Sequence, residues 1–338
     1  MVASQRPHLN QVLENLDRLL ILPHNDPDPD AVASAAALQF LVKTVWQIDC
    51  RIAYDGIIGR AENKALVNYL NSPLQPLHQL ESPNDWPIAL VDTQPGAGNN
   101  PAAVDAHVVM VIDHHPWRET SALADFADVR TNYGATAVIL TEYLQTAELE
   151  PPEPLATALF YGIKTDTMGL SRSTNPNDSA AYFYLQTRAN IRALLEIEQA
   201  QVPVGYFRNF AAALQTARLY DHVVVSYVGV MAYPDMAAEI ADLMLRLEGS
   251  EWVICMGVYQ NTMILAVRTR IPEGRAGLLA RTVVGDRGSA GGHGFMAGGQ
   301  IPLNGREPKG LAGRLTQRAL RHLNISPDLR AETLIKMT

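Results

Sequence analysis

Short runs of wholly apolar residues alternate with longer stretches of helical periodicity through the first half of the chain. Leu19–Leu22 precedes Asp30–Gln47, Cys50–Tyr54 precedes Glu62–Leu70, and Ile88–Val91 with Val108–Ile112 precede Ala135–Gln145. Short apolar runs suit strands buried on both faces and longer periodic ones suit helices, so the order predicts βα units on a mostly parallel sheet. Beyond Asp166 the texture is helical, from about Asp178 to Gln199, until Gln201-Val202-Pro203-Val204-Gly205 interrupts it. A linker at 201–206 therefore divides a domain at 1–200 from one at 207–338. The second part shows a strand at Val223–Val228, a helix near Met236–Leu247, a hairpin of Trp252–Tyr259 and Met263–Arg268 about Gln260-Asn261, and a helix near Lys309–Leu323. The expected fold class is α/β, with a mostly parallel-sheet first domain and a smaller mixed α/β second one.

Length agrees with this division, since 338 residues at roughly 150 per domain make about two domains. Hydrophobic residues at 47% supply enough material for sizeable cores. The 27 Lys and Arg against 35 Asp and Glu leave a net charge of -8, which argues against a non-specific binder of long duplex nucleic acid. Cys50 and Cys255 stand far apart in apolar contexts, so neither a disulfide framework nor a cysteine metal site is indicated. With no apolar run long enough for a signal peptide or membrane span, the expectation is a cytoplasmic protein without a membrane partner.

The densest chemical signal is His24-Asn25-Asp26-Pro27-Asp28-Pro29-Asp30, between the first strand and an Ala-rich helix that Asp30 can cap. Its prolines hold an extended loop, and carboxylates this close repel one another unless a cation sits among them. An EF-hand is excluded, because counting from Asp26 puts Ala31 where the loop needs Gly and Ala37 where it needs Glu. The next two strands also end in metal-capable residues, Asp92 and then Asp113-His114-His115, and Asp166 follows a helix-like stretch at Leu155–Tyr161. Strand ends are where open α/β sheets place ligands. Mixed His and carboxylate donors without Cys suit Mn²⁺ or a similar ion, and their number suggests two ions rather than one.

In order and spacing these motifs resemble the DHH phosphoesterase superfamily: His24 to Asp30, Val91-Asp92-Thr93, Asp113-His114-His115-Pro116, and Gly162 to Thr167. The resemblance implies that His24, Asp28 and Asp92 hold one divalent cation and that Asp30, Asp92, His114 and Asp166 hold the other, with Asp92 bridging. The cations would be Mn²⁺, with Mg²⁺ or Co²⁺ as alternatives. His115 would face the scissile phosphate, with Asp92 and Asp113 also in the catalytic group. Asp26 is an extra carboxylate that could compete with Asp28.

The segment Gly285–Gly299 places glycines where backbone N–H groups can approach an anion, and its apolar residues point to a packed turn entering a strand. Gly291-Gly292-His293 and the residues after them resemble the glycine-His motif of the DHH-associated substrate domain, with Met296 in place of a small residue. Arg268 and Thr269 resemble the family's substrate contact on the preceding strand. The resemblance therefore implies a catalytic domain, a substrate-binding domain and an active site in the cleft between them. Asn132–Thr136, at a helix start, and Arg60 with Asn63 are weaker candidates for substrate-side groups.

The expected function is hydrolysis of short nucleotide substrates by a two-metal-activated water. Short oligoribonucleotides, linear or cyclic di-adenylate and adenosine 3′,5′-bisphosphate are the substrates that the family suggests. A RecJ-like single-strand exonuclease and a non-catalytic nucleotide sensor are the alternatives. No macromolecular partner is implied beyond a homodimer.

Overall fold

The computed structural model describes residues 6–335 apart from 72–73, 104, 173–174, 272–273 and 327. The chain forms two compact units, Met1–Ala200 and Gln201–Thr338. In the first, β1 (Arg18–Pro23), β2 (Asp49–Tyr54), β3 (Leu74–Pro76), β4 (Ile88–Val91), β5 (Val108–Asp113) and β6 (Phe126–Val129) make an all-parallel sheet. Their order is β3-β2-β1-β4-β5-β6. Helices α1 (Arg6–Leu13), α2 (Pro29–Trp46), α3 (Ala61–Leu70), α4 (Thr136–Thr146), α5 (Glu153–Asp166), α6 (Pro176–Gln186) and α7 (Ile191–Glu198) complete this unit.

The continuous apolar runs follow from a sheet with two covered faces. Along β1, Leu19 and Ile21 join the larger core with α2, α4 and α5, while Leu20 and Leu22 pack on the opposite face with Ala53, Trp86 and Leu90. The chain leaves β1 toward β2 and later returns to lay β4 on β1's other side, so the strand order reverses at the β1/β4 boundary. Such a reversal opens a crevice at the strands' carboxyl ends. Helix α2 starts there because Pro29 is preset for a first helical position and Asp28 caps it, with its Oδ1 accepting from the Ala31 amide at 3.0 Å.

Two expectations for the end of this unit need correction. The stretch 178–199 is two helices, because Asn190 starts a new one: its side chain caps α7 at the Ala193 amide, 3.0 Å away, and its own N–H donates to Thr157 Oγ1. Residues 204–206 of the expected linker are helical. They open α8 (Val204–Thr216), whose apolar side packs on the second unit, leaving 201–203 as the irregular segment.

The second unit is built on β7 (Arg218–Tyr220), β8 (Val223–Val230), β9 (Trp252–Tyr259), β10 (Thr262–Thr269), β11 (Ser289–His293), β12 (Met296–Pro302) and β13 (Glu332–Thr333). These are ordered β11-β12-β10-β9-β8-β7-β13, and only β8 and β9 run parallel. Helices α8 and α9 (Met236–Met244, shorter than expected) cover one face against Val224, Val253 and Cys255. Helices α10 (Ala276–Val284) and α11 (Pro308–His322) cover the other against Val223, Ile254 and Leu265. Gln260 and Asn261 both have positive φ, 42° and 62°, which a two-residue hairpin turn requires. Among the described residues no helix is long and apolar enough to cross a membrane.

The glycine-rich segment is the β11/β12 hairpin, and it lies against α10. A Cβ added at buried Gly277 of α10 would stand 1.9 Å from the Gly292 carbonyl oxygen. Gly277→Ala would gain about 1 kcal/mol from helix propensity alone, whereas overpacking costs about 1–3 kcal/mol. A lowered melting temperature is expected, and an unchanged or raised one would mean that the hairpin does not pack this closely.

Candidate metal centre

The residues that end β1, β4 and β5 converge at the crevice. His24 follows β1, and its Nδ1 donates to the Asn25 carbonyl at 2.8 Å, which leaves Nε2 as the ligand-bearing nitrogen. That Nε2 lies 3.7 Å from Asp28 Oδ1 and 3.5 Å from Asp92 Oδ2. Asp92 follows β4 in the left-handed region, at φ 60°, an unusual conformation for a non-glycine residue and one often found at functional sites. Its backbone N–H is held by the Ile112 carbonyl at 2.9 Å, and Thr136 Oγ1 donates to its Oδ1 at 2.8 Å. His114 follows β5 and donates from Nδ1 to the Tyr133 carbonyl at 3.1 Å; its Nε2 stands 3.6 Å from Asp92 Oδ1 and 3.5 Å from Asp166 Oδ2.

These histidine–carboxylate separations are too long for hydrogen bonds and short enough for donors sharing one ion. His114 Nε2 is buried without any hydrogen-bond partner, although a buried polar atom is ordinarily satisfied. Three groups of donors can each close around an ion: His24, Asp28 and Asp92; Asp30, His114 and Asp166; and Asp92, His114 and His115. Asp92 turns Oδ2 toward His24 and Oδ1 toward His114, the disposition of a carboxylate serving two neighbouring sites. The residues therefore fit a pair of divalent cations.

Electrostatics favour the same reading. Burial, reinforced by the charges of Asp92 and Asp28, pushes Asp30 well above the usual carboxylate range despite its bonds to backbone amides. Burial with the charges of Asp28, Asp30 and Asp92 does the same to Asp166. Burial opposes a charge on His24, but the facing carboxylates of Asp28 and Asp92 outweigh it and raise the imidazole well above its ordinary value. Burial likewise opposes ionisation of Asp28, yet His24 and the Ala31 amide hold that carboxyl low. Groups that retain protons to relieve crowding are groups whose protons a cation replaces.

His115 is placed differently. Its Nδ1 donates to Asp113 Oδ1 at 2.9 Å and lies 3.6 Å from Asp92 Oδ1. Asp113 is fully buried, and its other oxygen accepts from Gln94 Nε2 at 2.6 Å. Gln94 Oε1 in turn accepts from the Arg118 amide at 2.8 Å and Ser121 Oγ at 2.9 Å, so every polar atom of this glutamine is used. Gln94 and Asp178 were not singled out as site residues in the sequence, and Thr136 only within the helix start considered for phosphate: an isolated polar residue beyond a strand carries no periodic or spacing signal.

Asp30 does not cap its own helix, a role that Asp28 fills. It accepts the Thr136 amide at 2.7 Å and the Ala137 amide at 2.8 Å, so it caps α4 instead. Asp178 takes the Gly134 amide at 2.9 Å. The amides of Asn132–Thr136 considered for phosphate are thus partly committed to carboxylates. Asp26 turns away, accepting the Ile57 amide at 2.7 Å, and belongs to none of the three donor groups. Buried Asn63 reaches the Pro27 carbonyl at 3.5 Å, and Arg60 lies 3.7 Å from Glu62.

The remaining expected substrate residues belong to the second unit. Arg268, at the end of β10, donates from Nε to Asp242 and from Nη1 to the Val267 carbonyl at 3.1 Å. Buried Thr269 donates to the Glu251 carbonyl at 2.9 Å and accepts from the Ile271 amide at 3.1 Å. Gly291 and Gly292 are strand residues paired with Gly298 and Ala297, and the turn is Gly294-Phe295. His293 pairs with Met296, but its side chain lies outside the described residues.

Residues 18–163 match the model of the DHH family, N-terminal domain. The first unit is a DHH-family domain. An uncharacterised protein of Methanocaldococcus jannaschii is 36% identical over 286 residues, covering 84% of this chain and 58% of that protein. A second protein of that organism is 27% identical over 168 residues, 47% of this chain and 49% of its own length. This chain thus spans about half the length of the curated relatives it matches. An exopolyphosphatase-related protein from Bacteroides fragilis shares the fold at a TM-score of 0.73, with 13% identity and coverage of 94% of this chain and 96% of that one.

In this DHH-family domain the His115 imidazole is raised to about 9, because the Asp113 bond and the charges of Asp92 and Asp113 exceed the opposing effect of burial. The group therefore stabilises the cation-free fold fully below about 6.5, and that contribution is lost as pH rises through about 9. Asp113→Asn should move the imidazole titration, followed by NMR in the presence of chelator, down toward 6.5. An unshifted titration would mean that Asp113 does not hold His115.

Proposed function

We propose that this protein is a divalent-metal-dependent phosphoesterase acting on short nucleotide substrates: oligoribonucleotides of a few units, linear or cyclic di-adenylate, or adenosine 3′,5′-bisphosphate. The observation that carries the reading is Asp92, buried at a strand end with one oxygen toward each of two histidines, beside a His114 Nε2 that has no protein partner. In this reading His24, Asp28 and Asp92 hold one cation, and Asp30, Asp92, His114 and Asp166 hold the other, with Mn²⁺ as the expected ion. The chemistry that such a pair supplies is neutralisation of phosphate charge and acidification of water.

The chain's own groups do the rest. His115, oriented by Asp113 through Nδ1, offers Nε2 to a phosphate oxygen, where a protonated imidazole stabilises developing charge. Gln94 fixes Asp113 and so acts as a positioning residue. Arg268, Thr269, Gly291, Gly292 and His293 select the substrate. Arg268 has Nε and Nη1 engaged, so its phosphate contact uses Nη2. The acidic balance of the chain suits a small ligand held in a local positive pocket.

Purified protein with Mn²⁺, assayed against a dinucleotide, longer RNA, cyclic di-adenylate, a bisphosphate and pyrophosphate, should turn over one of the short nucleotides fastest. Preference for longer RNA would indicate an exonuclease, and binding without turnover a sensor. Asp92→Asn should lose both equivalents of Mn²⁺ measured by calorimetry. His115→Ala should keep both and lose about 10²-fold or more in kcat. Equal loss of metal in the two variants would refute the roles given to them.

A further inference from the structure

The net charge of -8 is the sum of two unlike parts. Residues 1–200 carry 12 Lys and Arg against 24 Asp and Glu, whereas residues 201–338 carry 15 against 11. Within the second unit the excess is concentrated: residues 275–322, from the start of α10 to the end of α11, hold eight basic residues and two acidic ones. Seven of the eight are arginine, the cation that suits phosphate oxygens. Of the two acids, Glu307 is committed to capping α11 at the Lys309 and Gly310 amides, and Asp286 is the other.

Four of these arginines are arranged in sequence from the glycine-rich hairpin. The Nη1 of Arg281 lies 3.3 Å from where a Gly277 Cβ would be, the point that the Gly292 carbonyl also crowds. About two helical turns on, the Nη1 atoms of Arg318 and Arg287 lie 3.3 and 3.4 Å from the Cβ position of Gly285. They donate to the adjacent carbonyls of Val283 and Val284, at 3.1 and 3.2 Å, so two like charges are held side by side at the C-terminus of α10. Arg321 continues the row on α11, three residues beyond Arg318, opposite the buried Leu315, Ala319 and Leu320. Among the described residues none of the four has a carboxylate within ion-pair distance, whereas Arg268 of the same unit has Asp242. The carbonyl end of α10 favours these cations, and their remaining N–H donors stay open to water, where an anion's oxygens can replace it.

We propose that Arg281, Arg287, Arg318 and Arg321 form a phosphate track that binds the backbone of a single-stranded nucleic acid running on from the β11/β12 hairpin. The choice of a nucleotide strand rests on the proposed function. A single strand fits better than a duplex, which presents a charge about every 1.7 Å, more than a single row of four guanidinium groups can match. Phe295 is the one aromatic residue among 275–322, so bases have almost nothing to stack on, and binding is independent of sequence and sensitive to salt. The track lets the protein hold a strand longer than the few nucleotides it would cleave.

The test uses the full chain in chelator, where no hydrolysis occurs, with labelled RNA of about a dozen nucleotides and salt from about 25 to 200 mM, read by fluorescence anisotropy. Arg281→Glu with Arg321→Glu should weaken binding at least about tenfold and reduce the salt slope by about 1.4, while a control pair, Arg192→Glu with Arg208→Glu, changes affinity by less than about twofold. Among the described residues Arg281 and Arg321 make no side-chain hydrogen bond or ion pair, so folding of this pair, checked by circular dichroism, is expected. Adding Arg287→Gln and Arg318→Gln should weaken binding further. The proposal is overturned if the wild type does not bind this RNA at the lowest salt, or if both charge-reversed pairs lose affinity equally. Dinucleotide turnover with Mn²⁺ is measured separately: its absence alongside arginine-dependent binding refutes the enzymatic reading alone, and turnover with arginine-independent binding refutes the track alone.

Discussion

The carboxylate of Asp30 accepts the first two amides of α4, and the crevice end of the DHH-family domain is organised around that bond. Asp30 belongs to the helix after the first strand, and its partners lie more than a hundred residues later. Their union fixes α4 beside α2, which brings Thr136 Oγ1 onto Asp92. Burying a carboxylate alone would be prohibitive; two amides at a helix N-terminus offset much of that cost. Gly162 serves the same approach from α5, since a Cβ there would stand 3.0 Å from the Asp30 Cα.

Around this anchor the domain gathers more negative charge than it can neutralise from its own side chains. Asp28, Asp30, Asp92 and Asp166 face one another near His24 and His114, and the raised values of Asp30, Asp166 and His24 record the strain. The two histidines are prepared in the same manner, each spending Nδ1 on a backbone carbonyl so that Nε2 points inward. Neither arrangement improves the stability of the polypeptide alone. Both become favourable once cations share the space, which is how a fold gives up stability for a site.

The second unit manages charge in the opposite sense. Arg287 and Arg318 use backbone carbonyls at the end of α10 where the first unit's carboxylates use backbone amides. Helix termini supply both kinds of partner, so one chain can carry a surplus of each sign in separate units without large hydrogen-bonding deficits.

The sequence by itself determined the element types wherever periodicity was long or a strand was buried on both faces, and it placed acids and histidines at three strand ends because spacing and chain order are local properties. The family resemblance supplied the grouping of His24, Asp28, Asp30, Asp92, His114 and Asp166, which spacing alone does not give. Tertiary structure decided what depends on distant partners. Asp28 caps α2 because Asp30 is drawn away to α4. Asp26 turns to Ile57, Gln94 reaches Asp113 across the sheet, and 178–199 breaks where Asn190 finds the Ala193 amide and Thr157. A side chain's choice among competing hydrogen-bond partners is settled by which of them the packed chain brings within 3 Å, and a linear pattern does not encode that distance.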